Sequence, residues 1–255
     1  MSLTRLRSLA VPAIATLVAL AILLSLGFWQ LERLAWKNAL VASVEQRTHA
    51  TAIPLAPRLI WPSLTAERDE YRRVTASGRY RHDKESYLYW VAGDTRRAAE
   101  AGRLQGQGYM VFTPLALDGG GEILVNRGFV PLDRLRPESR AAGQVDGLVT
   151  VTGLIRFSEP RGLFAASDDA ARRLFYTRDI AAMARSVGLA TTDLAPFSLD
   201  QERVDIPGGI PQAGETRVTF TNRHFEYALT WFGLALTLVG VFLAFAWGRL
   251  RAPKE

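Results

Sequence analysis

The sequence has 255 residues, no cysteine and a formal net charge of +6, and 48% of its residues are hydrophobic. The lack of cysteine excludes a disulfide framework, a thiol redox centre, an iron–sulfur cluster and covalent haem attachment through a CxxCH motif. It also excludes a copper carrier built on thiolates. The two terminal tails carry a charge of +2 each, which leaves a net charge of only about +2 for the rest of the chain. So small a charge argues against a nucleic-acid-binding surface.

The charges are unevenly placed along the chain. No charged residue lies between Arg7 and Glu32, a stretch of 24 residues, or between Glu226 and Arg249, a stretch of 22. As helices that rise about 1.5 Å per residue, both stretches exceed the thickness of a hydrocarbon core of about 30 Å. Because lipid offers the backbone no hydrogen-bond partner, each stretch must be helical to cross it. The sequence therefore predicts two transmembrane helices.

A cleaved signal peptide is the alternative for the first stretch, since Arg5 and Arg7 resemble a positive n-region. The apolar run is followed by Gly27–Gln30, which lacks a small-x-small cleavage pattern, and it is longer than a usual h-region. An uncleaved anchor is therefore the better interpretation. The helical pattern continues to about Gln46, after which a proline-containing linker begins.

The basic residues of the two tails favour a cytoplasmic position for both termini, by a count of five against four near the opposite ends of the spans. We expect the central domain to be periplasmic in a bacterial inner membrane. The expected segments are a tail at 1–10, a transmembrane helix at 11–30, a β-rich domain at 31–226, a second transmembrane helix at 227–248 and a second tail at 249–255.

The central domain alternates apolar and polar residues with period two, which is typical of strands. Six strands are predicted, at 71–80, 84–93, 108–117, 122–130, 148–157 and 195–202. A helix is predicted within 168–190, with Asp168–Asp169 as its N-terminal cap. The expected fold is a membrane protein with two transmembrane α-helices that flank an α+β extramembrane domain, dominated by an antiparallel β-sheet or partly closed barrel.

Catalytic motifs are missing from the sequence. There is no GxxxxGK[ST] phosphate loop, no GxSxG elbow and no HExxH zinc site. His49 and His82 lie in polar surroundings without partners at metal-ligand spacing, so both are expected to be plain surface residues. Asn126–Arg127 could belong to a binding site, or the arginine could pack across the sheet for structural reasons.

His224 stands where the second span begins, at the membrane interface. His224, Tyr227, Ala228 and Trp231 share one helical face. An imidazole beside aromatic rings at this depth could ligate a haem iron while the macrocycle packs on the rings. The alternative is an interfacial anchor, because aromatic and long polar side chains are common at this level of a membrane helix. The residues alone leave both readings open.

Five motifs follow one another along the sequence in an order that resembles a known family. LGFWQLERLAWK at Leu26–Lys37 resembles the signature of the Surfeit locus protein 1 (Shy-one) family. The other motifs are YRRVTASGRY, GYMVFTPL, ILVNRGFVP and NRHFEYALTWFGLAL, and the resemblance covers roughly residues 15–245. The family usually has two asparagines before the histidine, where this chain has Asn222–Arg223. A tryptophan is common in the family where Leu174–Phe175–Tyr176 stand.

The resemblance implies a factor for the assembly of cytochrome c oxidase, not itself an enzyme, that binds haem a as cargo and helps to place it in subunit I. It implies His224 as the iron ligand. The residues themselves add further expected cofactor-binding side chains, aromatic rings for the macrocycle and cations for the propionates: Tyr227, Trp231, Trp29, Arg33 and Arg223. The implied partners are oxidase subunit I, the enzyme of haem a synthesis and the lipid bilayer, with no nucleic acid and no metal apart from the haem iron.

Two other functions remain as alternatives. A scaffold without haem would hold early subunit I intermediates, with Ser86–Trp90 and Asn126–Arg127 as its contact surface. A membrane-anchored, haem-modifying enzyme would need a second ligand set or a redox cofactor site, and the sequence shows neither.

Overall fold

The computed structural model describes residues 3–93, 102–216 and 222–251, which divide into two compact units. The first unit contains residues up to Ser43 and the C-terminal helix, and the second is Val44–Val218. Helix α1 extends over Leu3–His49, and the helix that closes the chain, α4, over His224–Arg251. Both are long and apolar enough to cross a membrane, and they contain the two predicted spans.

Helix α1 continues well beyond its charge-free part, as its helical pattern predicts. Its last turn, which belongs to the second unit, carries Arg47 and His49, and basic groups there interact favourably with the carbonyl end of the helix. The Arg47 guanidinium also donates to the backbone carbonyl of Glu67 at 3.2 Å. These contacts fix the end of α1 against the short helix α2 (Ala66–Asp69).

The second unit is built on eight strands. They are β1 (Ile53–Pro54), β2 (Arg73–Tyr80), β3 (Ser86–Ala92), β4 (Gly106–Leu117), β5 (Glu122–Pro131), β6 (Val149–Phe157), β7 (Leu174–Phe175) and β8 (Leu194–Gln201). Helix α3 covers Ile180–Ser186. Short 3-10 turns occupy Arg58–Ser63, His82–Lys84, Leu132–Arg134, Pro137–Gly143 and Pro207–Gly209.

Five of the strands close into a barrel. The order β2–β6–β8–β5–β4 returns to β2 through a final antiparallel pairing, in which Gly78 lies opposite Leu117. All barrel pairs are antiparallel except β5 with β8. Strand β3 extends the sheet from β4, while β1 and β7 add parallel pairings to β2 and β3. The expected fold class and all six predicted strands are confirmed. The two short strands β1 and β7 were not predicted, and neither was the parallel pairing of β5 with β8.

The barrel interior is filled by alternate residues of its five strands. They are Val74 and Ala76, Leu115, Ile123 and Val125, Val151 and Ile155, and Ala195, Phe197 and Leu199, all buried. Trp61 packs edge-on against Phe197, with ring centroids 6.0 Å apart, and its indole N–H donates to the carbonyl of Ala56 at 2.8 Å. A small barrel filled in this way is a packed core and not a channel.

Helix α3 covers the outer face of the sheet. Ile180 and Met183 are buried against Phe112 and Phe129 of β4 and β5. The helix is capped by Asp179, whose carboxylate accepts from the N–H of Ala182 at 2.9 Å.

The prediction of a longer helix capped by Asp168–Asp169 is wrong. Arg173 has a φ of +60°, which ends any helical path, and the next two residues extend along β3 as β7. Asp168 instead accepts from the N–H of Tyr176 at 2.8 Å.

A buried carboxylate, Glu85, organises one end of the β domain. Arg140 binds both of its oxygens, with 3.1 Å from Nη1 to Oε1, and Arg127 lies 4.0 Å from Oε1. All three side chains are almost completely buried. The hydroxyl of Tyr87 donates to Oε2 at 3.2 Å, and burial, reinforced by the charge of Glu85, raises the pKa of Tyr87 to about 12. The two arginines therefore depend on one carboxylate for charge compensation.

A second buried network joins the segment before α3 to the outer face of β8. Arg178 donates to both oxygens of Asp200, at 2.6 and 3.1 Å, and Asn126 and Thr216 donate to the same carboxylate at 3.1 and 2.9 Å. Burial alone would raise the pKa of Asp200, but Arg178, together with Arg156, outweighs it and holds that pKa below its usual range. Asp200 is therefore charged in the folded domain.

Replacing Glu85 with glutamine should lower the free energy of unfolding by about 3–5 kcal/mol, because Arg127 and Arg140 would be left as uncompensated buried charges. The measurement is guanidinium unfolding of the full chain in detergent, followed by near-ultraviolet circular dichroism. Asp193→Asn is the control: its ion pair with Arg58 is about half exposed, so its loss should cost less than about 1 kcal/mol. Equal losses for the two variants would contradict the assigned role of Glu85.

Replacing Asp200 with asparagine should destabilise the domain in a pH-dependent way. Because the folded pKa of Asp200 is depressed, its contribution is fully present above the unfolded value of about 3.9 and is lost as pH falls through the folded value. The difference in unfolding free energy between wild type and Asp200→Asn should therefore be largest near neutral pH and shrink below about pH 4. A difference that stays constant with pH would show that the carboxylate charge is not the source of the stability.

Candidate functional site

Small residues lie where α1 and α4 pack together. Gly27 of α1 and Ala228 and Ala235 of α4 are buried, although most of both helices is exposed. A Cβ atom added at Gly27 would come within 2.6 Å of the Phe232 ring, and Phe28 meets the same ring edge-on at 5.5 Å. Small residues of this kind allow close approach of membrane helices.

Two side-chain hydrogen bonds also join the helix pair. The Nδ1 atom of His224 lies 2.7 Å from Oε1 of Gln30, and the amide of Asn222 donates to Oδ1 of Asn38 at 2.9 Å. Gln30 is 9% exposed and His224 is half-buried, whereas Asn38 is exposed. The imidazole therefore lies against α1, in contact with a polar partner, rather than projecting freely from α4.

The other predicted site residues take different positions. Trp231 is half-buried on α4, while Tyr227 and Trp29 are each more than half exposed. The guanidinium of Arg33 stacks on Trp36 at 4.0 Å, and Arg223 is exposed. Within residues 3–93, 102–216 and 222–251, no hydrogen bond, ion pair or ring contact joins any of these five predicted side chains to His224.

Gln30 is the residue of the site that sequence reasoning missed. It lies three positions after Gly27, on the same face of α1, at the end of the charge-free stretch. A polar side chain on the small-residue face of a membrane helix indicates an interhelical hydrogen bond. This signal was present in the sequence, but the position of its partner on α4, 194 residues away, was not.

The geometry at His224 suits a single axial ligand better than a protein-only metal site. No group of three His, Cys, Asp or Glu side chains that could hold a metal ion exists among the residues that the structure describes. A haem iron needs only one protein ligand, since the macrocycle supplies the other four nitrogens. Nδ1 of His224 is engaged by Gln30, and no described residue hydrogen-bonds Nε2, so Nε2 is the atom with ligand capacity.

The other two histidines offer no comparable site. His49 is exposed, as expected, and Nδ1 of its ring lies 2.9 Å from the carbonyl of Glu45. The expectation for His82 is wrong, because its side chain is only 12% exposed and Nε2 donates to the carbonyl of Val145 at 3.0 Å. A backbone carbonyl thus holds each ring: one at the end of α1 for His49, and one in the β domain for His82.

The prediction that Ser86–Trp90 and Asn126–Arg127 form the contact surface of a scaffold is largely wrong. Asn126 and Arg127 are buried, and Arg127 donates to the carbonyl of Gly143 while it stacks on Tyr80 at 4.7 Å. The arginine is therefore structural. In the segment Ser86–Trp90 the first three residues are buried and only the last two are partly accessible.

Three neighbouring tyrosines form a partly accessible aromatic cluster in the same domain. Tyr89 contacts Tyr109 with ring centroids 6.0 Å apart and Tyr176 with centroids 5.6 Å apart. Tyr89 and Tyr109 are half-buried and Tyr176 is 43% exposed. Tyrosine is enriched in protein interfaces because it combines a large apolar ring with a hydrogen-bonding hydroxyl.

A family model and individual known proteins all relate this chain to the same family. The model of the SURF1 family matches residues 17–236, which include both membrane helices' facing segments and the whole barrel. The chain belongs to the SURF1 family. It is 39% identical to Surfeit locus protein 1 of Xenopus tropicalis over 217 residues, which are 82% of this chain and 67% of that protein. It is also 39% identical to the Takifugu rubripes protein, over 82% of this chain and 86% of that one, and 37% identical to the human protein, over 82% and 69%.

The helix contact of this SURF1-family chain can be tested by cross-linking. Asn38→Cys combined with Asn222→Cys should be joined readily by a short bifunctional thiol reagent, and the sequence has no other cysteine to compete. Adding Gly27→Leu should slow this reaction several-fold, because the new side chain would overlap the Phe232 ring. Gly240→Leu is the control, since nothing lies within 4 Å of its Cβ position. Equal cross-linking rates for both leucine variants would contradict close packing at Gly27.

Proposed function

We propose that this protein is an assembly factor for cytochrome c oxidase that binds haem a and helps its insertion into subunit I. The observation that carries the proposal is the placement of His224. Its imidazole lies at the start of an apolar helix, is held through Nδ1 by Gln30 at 2.7 Å, and keeps Nε2 without a partner among the described residues. An axial ligand for a haem iron requires this combination of a fixed ring and a free nitrogen.

The surroundings of His224 match the chemistry of the cargo. Haem a has a long apolar tail and a large ring, and the pair α1 and α4 exposes mainly apolar and aromatic side chains, Tyr227 among them. The haem propionates require cations, and Arg223 directly precedes His224 and is exposed. Arg33, on α1, would be a second cation once it leaves the face of Trp36. Trp231 and Trp29 are the further aromatic residues that we assign to this surface.

The proposal places the protein in the bacterial inner membrane, with both termini in the cytoplasm and the β domain in the periplasm. The basic residues Arg5, Arg7, Arg249, Arg251 and Lys254 beyond the two spans support this orientation. A role without catalysis is supported by the burial of the acidic residues Glu85 and Asp200 in ion pairs, which leaves them structural. Oxidase subunit I and the enzyme that makes haem a are the partners that such a carrier requires.

Replacing His224 with alanine should remove most of the haem a from protein purified in detergent from cells that make haem a, or shift its Soret band, because the iron loses its nitrogen ligand. Absorption spectra of the oxidised and reduced protein measure both effects. His49→Ala is the control, since His49 is exposed and is the last residue of α1, 19 positions after Gln30. Full occupancy with an unchanged spectrum in His224→Ala would remove His224 as the ligand.

A second candidate function, a scaffold that holds subunit I without carrying haem, is favoured by the cluster of Tyr89, Tyr109 and Tyr176. Under this alternative no pigment would co-purify with the wild-type protein, although loss of the gene would still lower the haem a content of the oxidase. The same spectra therefore distinguish a carrier from a scaffold.

A further inference from the structure

The contact between Gln30 and His224 determines which nitrogen of the imidazole carries the proton. Gln30 turns its amide carbonyl oxygen, Oε1, toward Nδ1 of His224 at 2.7 Å; a carbonyl oxygen only accepts a hydrogen bond, so in this orientation of the amide Nδ1 donates. A neutral imidazole has one ring proton. With that proton on Nδ1, the lone pair is on Nε2.

Burial makes this contact selective. Gln30 is 9% exposed and lies on the face of α1 that also carries the buried Gly27. With Nδ1 against the Gln30 carbonyl, an imidazole that lacked the Nδ1 proton would set two acceptors against each other, and in a poorly exposed position an unmet hydrogen bond is costly. The contact thus favours the Nδ1–H tautomer.

A purely structural role for Gln30 is already filled by other contacts. The close approach at Gly27 and Phe232 joins the helices, and the hydrogen bond between Asn38 and Asn222 joins them as well. Neither of these contacts touches the imidazole. Among the residues that the structure describes, only Gln30 supplies an acceptor for Nδ1 of His224.

We propose that Gln30 is a positioning residue that holds His224 as its Nδ1–H tautomer and directs the Nε2 lone pair toward the haem iron. The inference rests on the proposed function for its last step, whereas control of the tautomer can be tested without haem. Histidine ligands commonly donate the second ring N–H to a carbonyl or carboxylate, which fixes the ring and increases its strength as a ligand.

The first experiment uses the haem-free, full-length protein in detergent with 15N-labelled histidine. Only three imidazoles are present, His49, His82 and His224, and His224→Ala identifies the signals of the third. In the wild type we expect a protonated, pyrrole-type Nδ1 and an unprotonated, pyridine-type Nε2 at His224. His82 gives the internal contrast, because its Nε2 donates to Val145 and it should show the opposite tautomer.

Two substitutions of Gln30 separate acceptance of the hydrogen bond from packing. Gln30→Leu removes the acceptor and should convert His224 to a mixture of tautomers. Gln30→Glu keeps an oxygen acceptor in nearly the same shape and should preserve the Nδ1–H form, even if the leucine variant folds poorly. The matched control is Asn38→Leu, which removes the other interhelical hydrogen bond and should leave the His224 tautomer unchanged.

The second experiment uses the same variants loaded with haem a. Gln30→Leu should weaken haem affinity by about 10–100-fold and shift the iron–histidine stretching band in resonance Raman spectra, as expected for loss of an outer hydrogen bond to a ligand. Gln30→Glu should shift that band in the opposite direction and lower the reduction potential of the haem, because a carboxylate makes the imidazole a stronger donor.

The outcomes separate this inference from the proposed function. An Nε2–H tautomer in the wild type, or a tautomer and iron–histidine band that Gln30→Leu leaves unchanged, would overturn the positioning role. A wild-type protein that shows the Nδ1–H tautomer and its dependence on Gln30, but binds no haem a, would support control of the ring by Gln30 and refute haem binding. Binding of haem a that survives His224→Ala unchanged would refute the direction of Nε2 toward the iron.

Discussion

Backbone N–H and C=O groups that leave water must find partners, and both units of this protein are organised by that requirement. In α1 and α4 each segment satisfies its own backbone, which is the condition for crossing lipid. In the β domain the pairing of β2 with β4 closes the barrel, so the paired segments of these two strands are not left as open sheet edges. This closure needs a close approach at Gly78, where a Cβ atom would lie only 2.2 Å from the carbonyl oxygen of Ala116.

The same requirement explains where the charges of the β domain are found. Glu85 is buried only because Arg140 binds both of its oxygens, and Asp200 only because Arg178 does the same. Such pairs offer little net stability over apolar packing, but each member becomes indispensable to the other. Residues that look functional in a list of polar side chains, Arg127 above all, are thereby committed to the structure. The helix pair α1 and α4 and the cluster of three tyrosines are therefore the remaining candidates for a functional role.

At the helix pair a polar contact occurs where apolar contacts dominate. Gln30 and His224 satisfy each other where the two helices pack, so neither is left as an unpaired polar group in a poorly solvated environment. The arrangement leaves the second ring nitrogen of His224 as the unused capacity of the site. A carrier of haem a would exploit that capacity without any catalytic machinery, in keeping with a sequence that lacks catalytic motifs.

The sequence by itself determined the elements whose signals are local. Charge-free stretches gave the two spans, period-two alternation gave the six long strands, and the position of His224 at the start of a span marked it as a candidate ligand. Only the tertiary structure decided which of these elements meet. The parallel pairing of β5 with β8, the burial of Asn126 and Arg127, and the short helix at Ile180–Ser186 depend on partners distant in sequence. For the same reason Gln30 was overlooked: one polar residue in an apolar helix has no assigned role until folding brings its partner within 2.7 Å.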